Sequence, residues 1–327
     1  MFSSLTSLTV QTVFNMSKKS KRSFLSRHPK LKKIVYSFYG ILIIFLIILP
    51  VPLFILPKKY VYKLSRFLSQ LFVFPFIREK TIKNLKYAYG GRMTDFRANA
   101  IAKKCAANLL FSAVDCYYLW FFKPFYNFDN IIIEVKNTNC VYDSLKKKNG
   151  IFVATPHYGC FEIIPAFFAM KLNLTGGVIA RKFPSDLLTW LNRKARQLHK
   201  VPSFYDEARA ILKNLRSNNV IGILPDLNAK KRLGIPSSFF GKETLTLDIH
   251  VRLASQTGAP IVPAFINRHV SKPWQYTMIF YPPVCVDKKV PQEIISKKVQ
   301  EINDIFEEHI KCYPSGWIWF HNKWKLW

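Results

Sequence analysis

The chain has 327 residues, with 49 Lys and Arg against 19 Asp and Glu, and carries a formal charge of +30, yet half of it is hydrophobic. With 28 Phe, 15 Tyr and 7 Trp it holds enough apolar surface for a sizeable core, which excludes a disordered basic tail. Only 12 Gly, six scattered Cys without a C-x-x-C pair and no recurring motif exclude collagen-like, disulfide-scaffold, structural-zinc and repeat classes.

Residues 1–33 form a basic segment. From Ile34 to Pro57 no residue is charged, and Ile41 to Leu49 is apolar on every helical face. At about 1.5 Å per residue such a run reaches across the roughly 30 Å hydrocarbon layer of a bilayer, so a hydrophobic membrane anchor is expected over 34–57. Pro50 and Pro52 each remove an amide donor, and the anchor either crosses with a kink or dips in and returns. A cleaved signal peptide is not expected, because the apolar run starts late and Pro50-Val-Pro-Leu is no small-residue cleavage site. Basic flanks on both sides suit a protein whose bulk lies against an anionic cytoplasmic leaflet.

Residues 58–140 read as a helical lead-in, with Leu64, Phe67, Leu71 and Phe72 at helical intervals and few breakers from Ala98 to Leu119. From Gly150 the pattern changes to short β-rich runs: Ile151–Ala154, Gly177–Ala180, Val220–Leu224, Ile261–Phe265 and Tyr276–Phe280. Helical periodicity separates them at Ser185–His199, Tyr205–Arg216 and Leu247–Gln256. This alternation predicts an α/β domain over 141–327, a layered sheet flanked by helices and buried on both faces. Ile295, Val299, Ile302, Phe306 and Ile310 then mark one stripe of a helix that packs on the body. Trp317, Trp319, Trp324 and Trp327, interleaved with Lys323 and Lys325, suit a membrane interface or a tail that plugs the core.

The chemistry-bearing constellation is Pro156-His-Tyr-Gly-Cys-Phe-Glu162, directly after the first strand of that region. On a continuous helix His157 and Glu162 would point apart, so a turn at Gly159 must intervene, and Pro165 sets the following helix to start near Glu162. A carboxylate there can accept a bond from one ring nitrogen and leave the other free as a general base toward an alcohol. No protein nucleophile is required, because the deprotonated hydroxyl attacks the acyl group itself. The position at a strand end is where open α/β sheets place ligands.

These residues resemble the late acyltransferases of lipid A biosynthesis, within the wider glycerolipid acyltransferases, whose signature is H-x4-D/E after a strand. Ala180-Arg-Lys-Phe-Pro184, Trp190 with Arg196, Ile223-Leu-Pro-Asp-Leu-Asn228, Ser238-Phe-Phe-Gly241 with Thr244, Gly258-Ala-Pro-Ile-Val-Pro263 and Trp317-Ile-Trp-Phe-His-Asn-Lys-Trp324 are similar to further blocks in order and spacing. Cys160 departs from the Asn frequent there, and Leu198-His-Lys-Val-Pro202 lacks a usual glycine.

The resemblance implies a glycerolipid-acyltransferase-like fold that transfers a fatty acyl chain from acyl carrier protein to a hydroxyl of a phosphorylated lipid A precursor, without metal or redox cofactor, on the cytoplasmic face of a bacterial inner membrane. His157 would be the base and Glu162 its orienting carboxylate. Arg181 and Arg196 would contact phosphate or the thioester donor, Asp226 would be a substrate or structural contact, and Phe240 and Gly241 would line an acyl groove or belong to the core. The positive charge suits an acidic carrier protein and anionic lipids. Other acceptors, a glycolipid or a lysophospholipid, fit the same chemistry. A non-catalytic basic membrane or nucleic-acid binder is the competing class, and no nucleic-acid recognition motif supports the latter.

Overall fold

A computed structural model describes residues 56–121, 127–183, 185–231 and 233–325. All but the last two residues of the stretch read as an anchor lie outside these, as does Trp327. Among the described residues no helix is long and apolar enough to cross a membrane.

The chain begins with α1 (Lys58–Leu68), a π-helical turn (Ser69–Val73), α2 (Phe74–Tyr89) and the long α3 (Asp95–Phe121). Then follow α4 (Phe128–Ile131), β1 (Ile132–Lys136), α5 (Asn139–Leu145), β2 (Ile151–Ala154), α6 (Ile163–Met170), β3 (Gly176–Ile179), α7 (Asp186–Gln197), β4 (Ser203–Phe204), α8 (Ala208–Arg216) and β5 (Val220–Ile223). A hairpin of β6 (Gly234–Phe239) and β7 (Lys242–Leu247) precedes α9 (Ile249–Thr257), β8 (Ile261–Arg268), β9 (Tyr276–Phe280) and α10 (Gln292–Cys312).

Seven strands form one sheet in the order β1-β9-β8-β2-β5-β3-β4, parallel throughout except for the antiparallel β8–β9 pair. β2 lies in its middle and all four of its residues are buried. Phe152 and Ala154 face one apolar layer, which includes Val299, Ile302 and Phe306 of α10. Ile151 and Val153 face the other, with Ile163 and Phe167 of α6 and Leu119 of α3. Burial on both faces is why β2 reads as a continuous apolar run rather than an alternating one. The α10 stripe packs as its spacing predicts, with all five residues buried.

Of the two settings expected for the C-terminal tryptophans the core is the one observed, and one other feature departs from the sequence reading. Trp317 and Trp319 do not face a membrane interface: they are fully buried, in edge-to-face contact 4.8 Å apart, because the chain after α10 folds back through a short 3-10 turn (Pro314–Gly316) into the core. The sheet also begins earlier than the apolar runs suggest. β1 precedes residue 141 and is mostly exposed, so it lacks the hydrophobic signal of an inner strand.

His250 of α9 is buried with no partner for either ring nitrogen, and burial holds its pKa at about 3, against 6.5 ordinarily. Between those values the unfolded chain takes up a proton that the folded chain refuses, so stability is retained above pH 6.5 and falls as the pH drops below it. His250→Met should flatten this acid limb by about 1.4 kcal/mol per pH unit near pH 5. Urea midpoints of both proteins at pH 5 and pH 7 check it.

Candidate active site

The parallel register pairs Ala154 of β2 with Ile223 of β5. Three residues beyond each strand end stand His157 and Asp226, so two neighbouring strands deliver both to the same edge of the sheet. Gly159 turns the chain after His157 at φ +55°, where a Cβ would lie 2.4 Å from the Ile266 carbonyl oxygen, so the tight return toward α6 needs glycine. Glu162 is the residue before the first turn of α6, as Pro165 predicts.

The histidine and glutamate do not bond to each other, and the ring partner expected from spacing is corrected here. His157 Nδ1 lies 2.7 Å from Asp226 Oδ1, and the His157 backbone N–H donates to Asp226 Oδ2 at 2.9 Å. Glu162 instead turns toward α7, where Arg196 grips it with Nη2–Oε1 at 2.7 Å and Nε–Oε2 at 3.2 Å. Glu162 leaves the loop at the helix start, beyond the Gly159 turn, whereas Asp226 is brought opposite His157 by strand register. The partner was therefore set by a contact 69 positions apart, which no local spacing encodes.

Asp226 is fully buried. Burial alone would raise its pKa, but the neighbouring imidazole charge, the two bonds from His157 and a third from Trp317 Nε1 at 2.8 Å hold it below the ordinary carboxylate value. An ionised Asp226 makes Nδ1 the protonated nitrogen. In the neutral form of the ring the lone pair is then on Nε2. This nitrogen bonds to none of the described residues and is not sealed from solvent, while the ring keeps 18% of its surface exposed and meets Phe161 edge-on at 5.1 Å.

Trp317 joins the site without any signal in its aromatic block: its indole donates to Asp226 once the tail folds back into the core. The tail holds the histidine loop as well: Gly159 N–H donates to the Gly316 carbonyl at 2.9 Å, and Tyr158 bridges Trp317. Gly316 has no Cβ because the Tyr158 ring would lie 2.3 Å from it.

Two buried ion pairs brace this edge. Glu162–Arg196 is one, with Arg196 Nη1 also donating to Ser203 Oγ at 3.2 Å. Burial would raise the Glu162 pKa, but Arg196 outweighs it and holds it at about 2. The other joins Arg268 at the end of β8 to Asp115 of α3 at 2.7 Å, with the Tyr62 and Tyr276 hydroxyls also donating to Asp115. Ser112 accepts from Arg268 and donates to the Gly159 carbonyl, both at 3.1 Å, which ties this pair to the histidine loop.

Of the other expected residues, Arg181 stands exposed just past β3, on the same sheet edge as His157. Among the described residues no hydrogen bond or ring contact joins Phe240 or Gly241 to His157. Phe240 and Gly241 form the β6–β7 turn, both with positive φ, with Phe240 packed on Trp319 at 5.3 Å and open space around the Gly241 Cα. Lys323 is fully buried over the Phe239 ring with Nζ 3.3 Å from Thr246 Oγ1. Burial lowers its pKa to about 8 against the opposing pull of Asp226 and Glu307. Among the described residues no group of three or more His, Cys, Asp or Glu could hold a metal ion.

An apolar recess opens beside the Glu162–Arg196 pair, between α6 and strands β2, β3 and β5, walled by Pro165, Phe168, Leu174, Gly177 and Gly222. Fold and site together define an α/β protein with a histidine–carboxylate pair at the carboxyl edge of a mainly parallel sheet. The family model for bacterial lipid A biosynthesis acyltransferases matches residues 26–326, and the chain belongs to that family. A comparison with curated proteins gave no match.

Asp226→Asn should keep the fold but lower acyl transfer by about 10²–10⁴-fold, because an amide no longer secures the Nδ1–H form. Turnover with retained near-ultraviolet circular dichroism checks this. Glu162→Gln leaves the Arg196 charge buried and unmatched, with an expected cost of about 3–5 kcal/mol in denaturant unfolding. Replacing both partners, Glu162→Gln with Arg196→Met, should recover most of that stability.

Proposed function

We propose that the protein transfers a fatty acyl chain from an acyl carrier protein thioester to a hydroxyl of a phosphorylated lipid A precursor, at the cytoplasmic face of a bacterial inner membrane. The observation that carries this reading is the His157 ring, with Nδ1 tied to buried Asp226 and Nε2 open.

In the proposed reaction Nε2 removes the proton of the acceptor hydroxyl as its oxygen attacks the thioester carbonyl. Asp226 stabilises the imidazolium that forms. The tetrahedral oxyanion collapses, the carbon–sulfur bond breaks, and the proton on Nε2 passes to the departing thiolate, so ester and free thiol leave with His157 neutral again. No acyl-enzyme is needed. Cys160, the nearest thiol in the loop, is buried with its sulfur 3.9 Å from Cys116 and 3.8 Å from the Ser112 carbonyl, and burial raises its pKa well above the ordinary value, which makes it a poor nucleophile.

In this reading the acyl chain would meet the apolar wall of the recess beside Glu162 and Arg196. Glu162, which the spacing cast as the orienting carboxylate, acts in this reading as a positioning residue that fixes Arg196 and the start of α6 at the recess mouth. Exposed Arg181, on the same edge, would meet the anionic donor or the acceptor phosphate. Phe240, packed on Trp319, supports the buried tail in this reading rather than touching substrate.

The test is a mass gain on a lipid A precursor incubated with acyl carrier protein thioester and purified protein. His157→Ala should abolish the gain with membrane fractionation unchanged. Full activity in that variant would end the proposed role of His157, and acylation of a lysophospholipid in place of the precursor would redirect the acceptor.

A further inference from the structure

The apolar stripe of the first helices points away from the protein. α1 packs inward through Val61, Tyr62 and Ser65, and α2 through Ile77, Thr81 and Leu85. At about 100° per residue Tyr60, Leu64 and Phe67 fall within about 60° of one another on the opposite side of α1. All three are exposed, Phe67 to 60%. The π-helical turn and the start of α2 continue the display with Leu71 at 51%, Phe72 at 63% and Phe76 at 78%. Phenylalanines left this open are not core residues that failed to find a partner by one turn; they make a run along one side of two consecutive helices. A contiguous apolar run of this kind marks an interaction surface.

The charge around it identifies the partner. Lys59, Lys63 and Arg66 are exposed beside the stripe, and no acidic residue occurs in the chain before Glu79. A protein partner would have to match a long apolar run bordered by cations alone, whereas an anionic bilayer supplies both requirements at once: hydrocarbon for the rings and headgroup charge for the lysines. The uncharged run 34–57, expected from sequence to be a membrane anchor, directly precedes α1 in the chain. α2 then carries the surface toward the site. Asn84, one turn beyond Lys80, donates to the carbonyls of Trp319 and His321 at 2.6 and 2.7 Å, in the segment that supplies Trp317 to Asp226.

We propose that α1, the π-helical turn and the start of α2 form an interfacial docking face for an anionic phospholipid bilayer, with Phe67, Leu71, Phe72 and Phe76 inserted roughly 5–10 Å, to the level of the upper acyl chains. This deepens the membrane location proposed above and does not depend on the acyl-transfer chemistry.

The test uses the full chain with the exposed thiols removed (Cys285→Ser, Cys312→Ser) and an environment-sensitive fluorophore placed by Phe72→Cys or Phe76→Cys, with Lys297→Cys on α10 as reference. In phosphatidylglycerol-containing vesicles the probes at 72 and 76 should shift to the blue and be quenched several-fold more by lipids spin-labelled high on the acyl chain than the probe at 297. Solvent-like emission without quenching at both sites, on protein that still floats with the vesicles, would overturn the docking face. A blue shift already present without vesicles would also overturn it, because a second copy or the segment 34–55 would then be the occupant. Acyl transfer measured on the same labelled protein separates the fate of this proposal from that of the catalytic one.

Discussion

A single buried carboxylate organises the functional end of this protein. Asp226 sits where water cannot reach it, and an ion there is tolerable only if its oxygens are matched by donors. His157 supplies two and Trp317 the third, from segments that lie far apart in the chain. Each donor is thereby held: the imidazole in one tautomer, the loop backbone against the end of β5, the indole inside the core. Removing the carboxylate altogether would leave all three donors without their acceptor.

The layered sheet was legible because its central strands carry a burial pattern that no surface element could sustain. Ile151–Ala154 and Ile261–Phe265 are apolar on both faces, and the stripe on α10 matches a helix lying across them. Elements with weaker signals stayed hidden. β4 has two residues, and the β6–β7 hairpin turns through Phe240-Gly241, where a bulky residue takes a positive φ that its sequence does not advertise. His157 was legible from its motif after a strand. Its partner was not, because a spacing of five suggested a local carboxylate while the sheet register chose one from the neighbouring strand.

The two acidic residues near His157 divide the electrostatic labour. Asp226 faces the ring and Glu162 faces Arg196, so the guanidinium is neutralised by a carboxylate that takes no bond from the histidine. Without Glu162 the arginine would lie buried and uncompensated beside the recess. An H-x4-E spacing therefore describes a loop and helix start that support a base as much as it describes a reacting pair. The Asp115–Arg268 pair does the same on the other side of the loop, through Ser112 and Gly159.

Trp317 lies 91 positions beyond the carboxylate it serves and pairs with the loop that carries the base. During synthesis the strands bearing His157 and Asp226 emerge long before it. Until that indole arrives, Asp226 lacks one of its donors and the histidine loop lacks its edge partner, so a nascent chain can have a sheet without having a working centre. The order of synthesis thus separates folding of the sheet from completion of the donor set around Asp226.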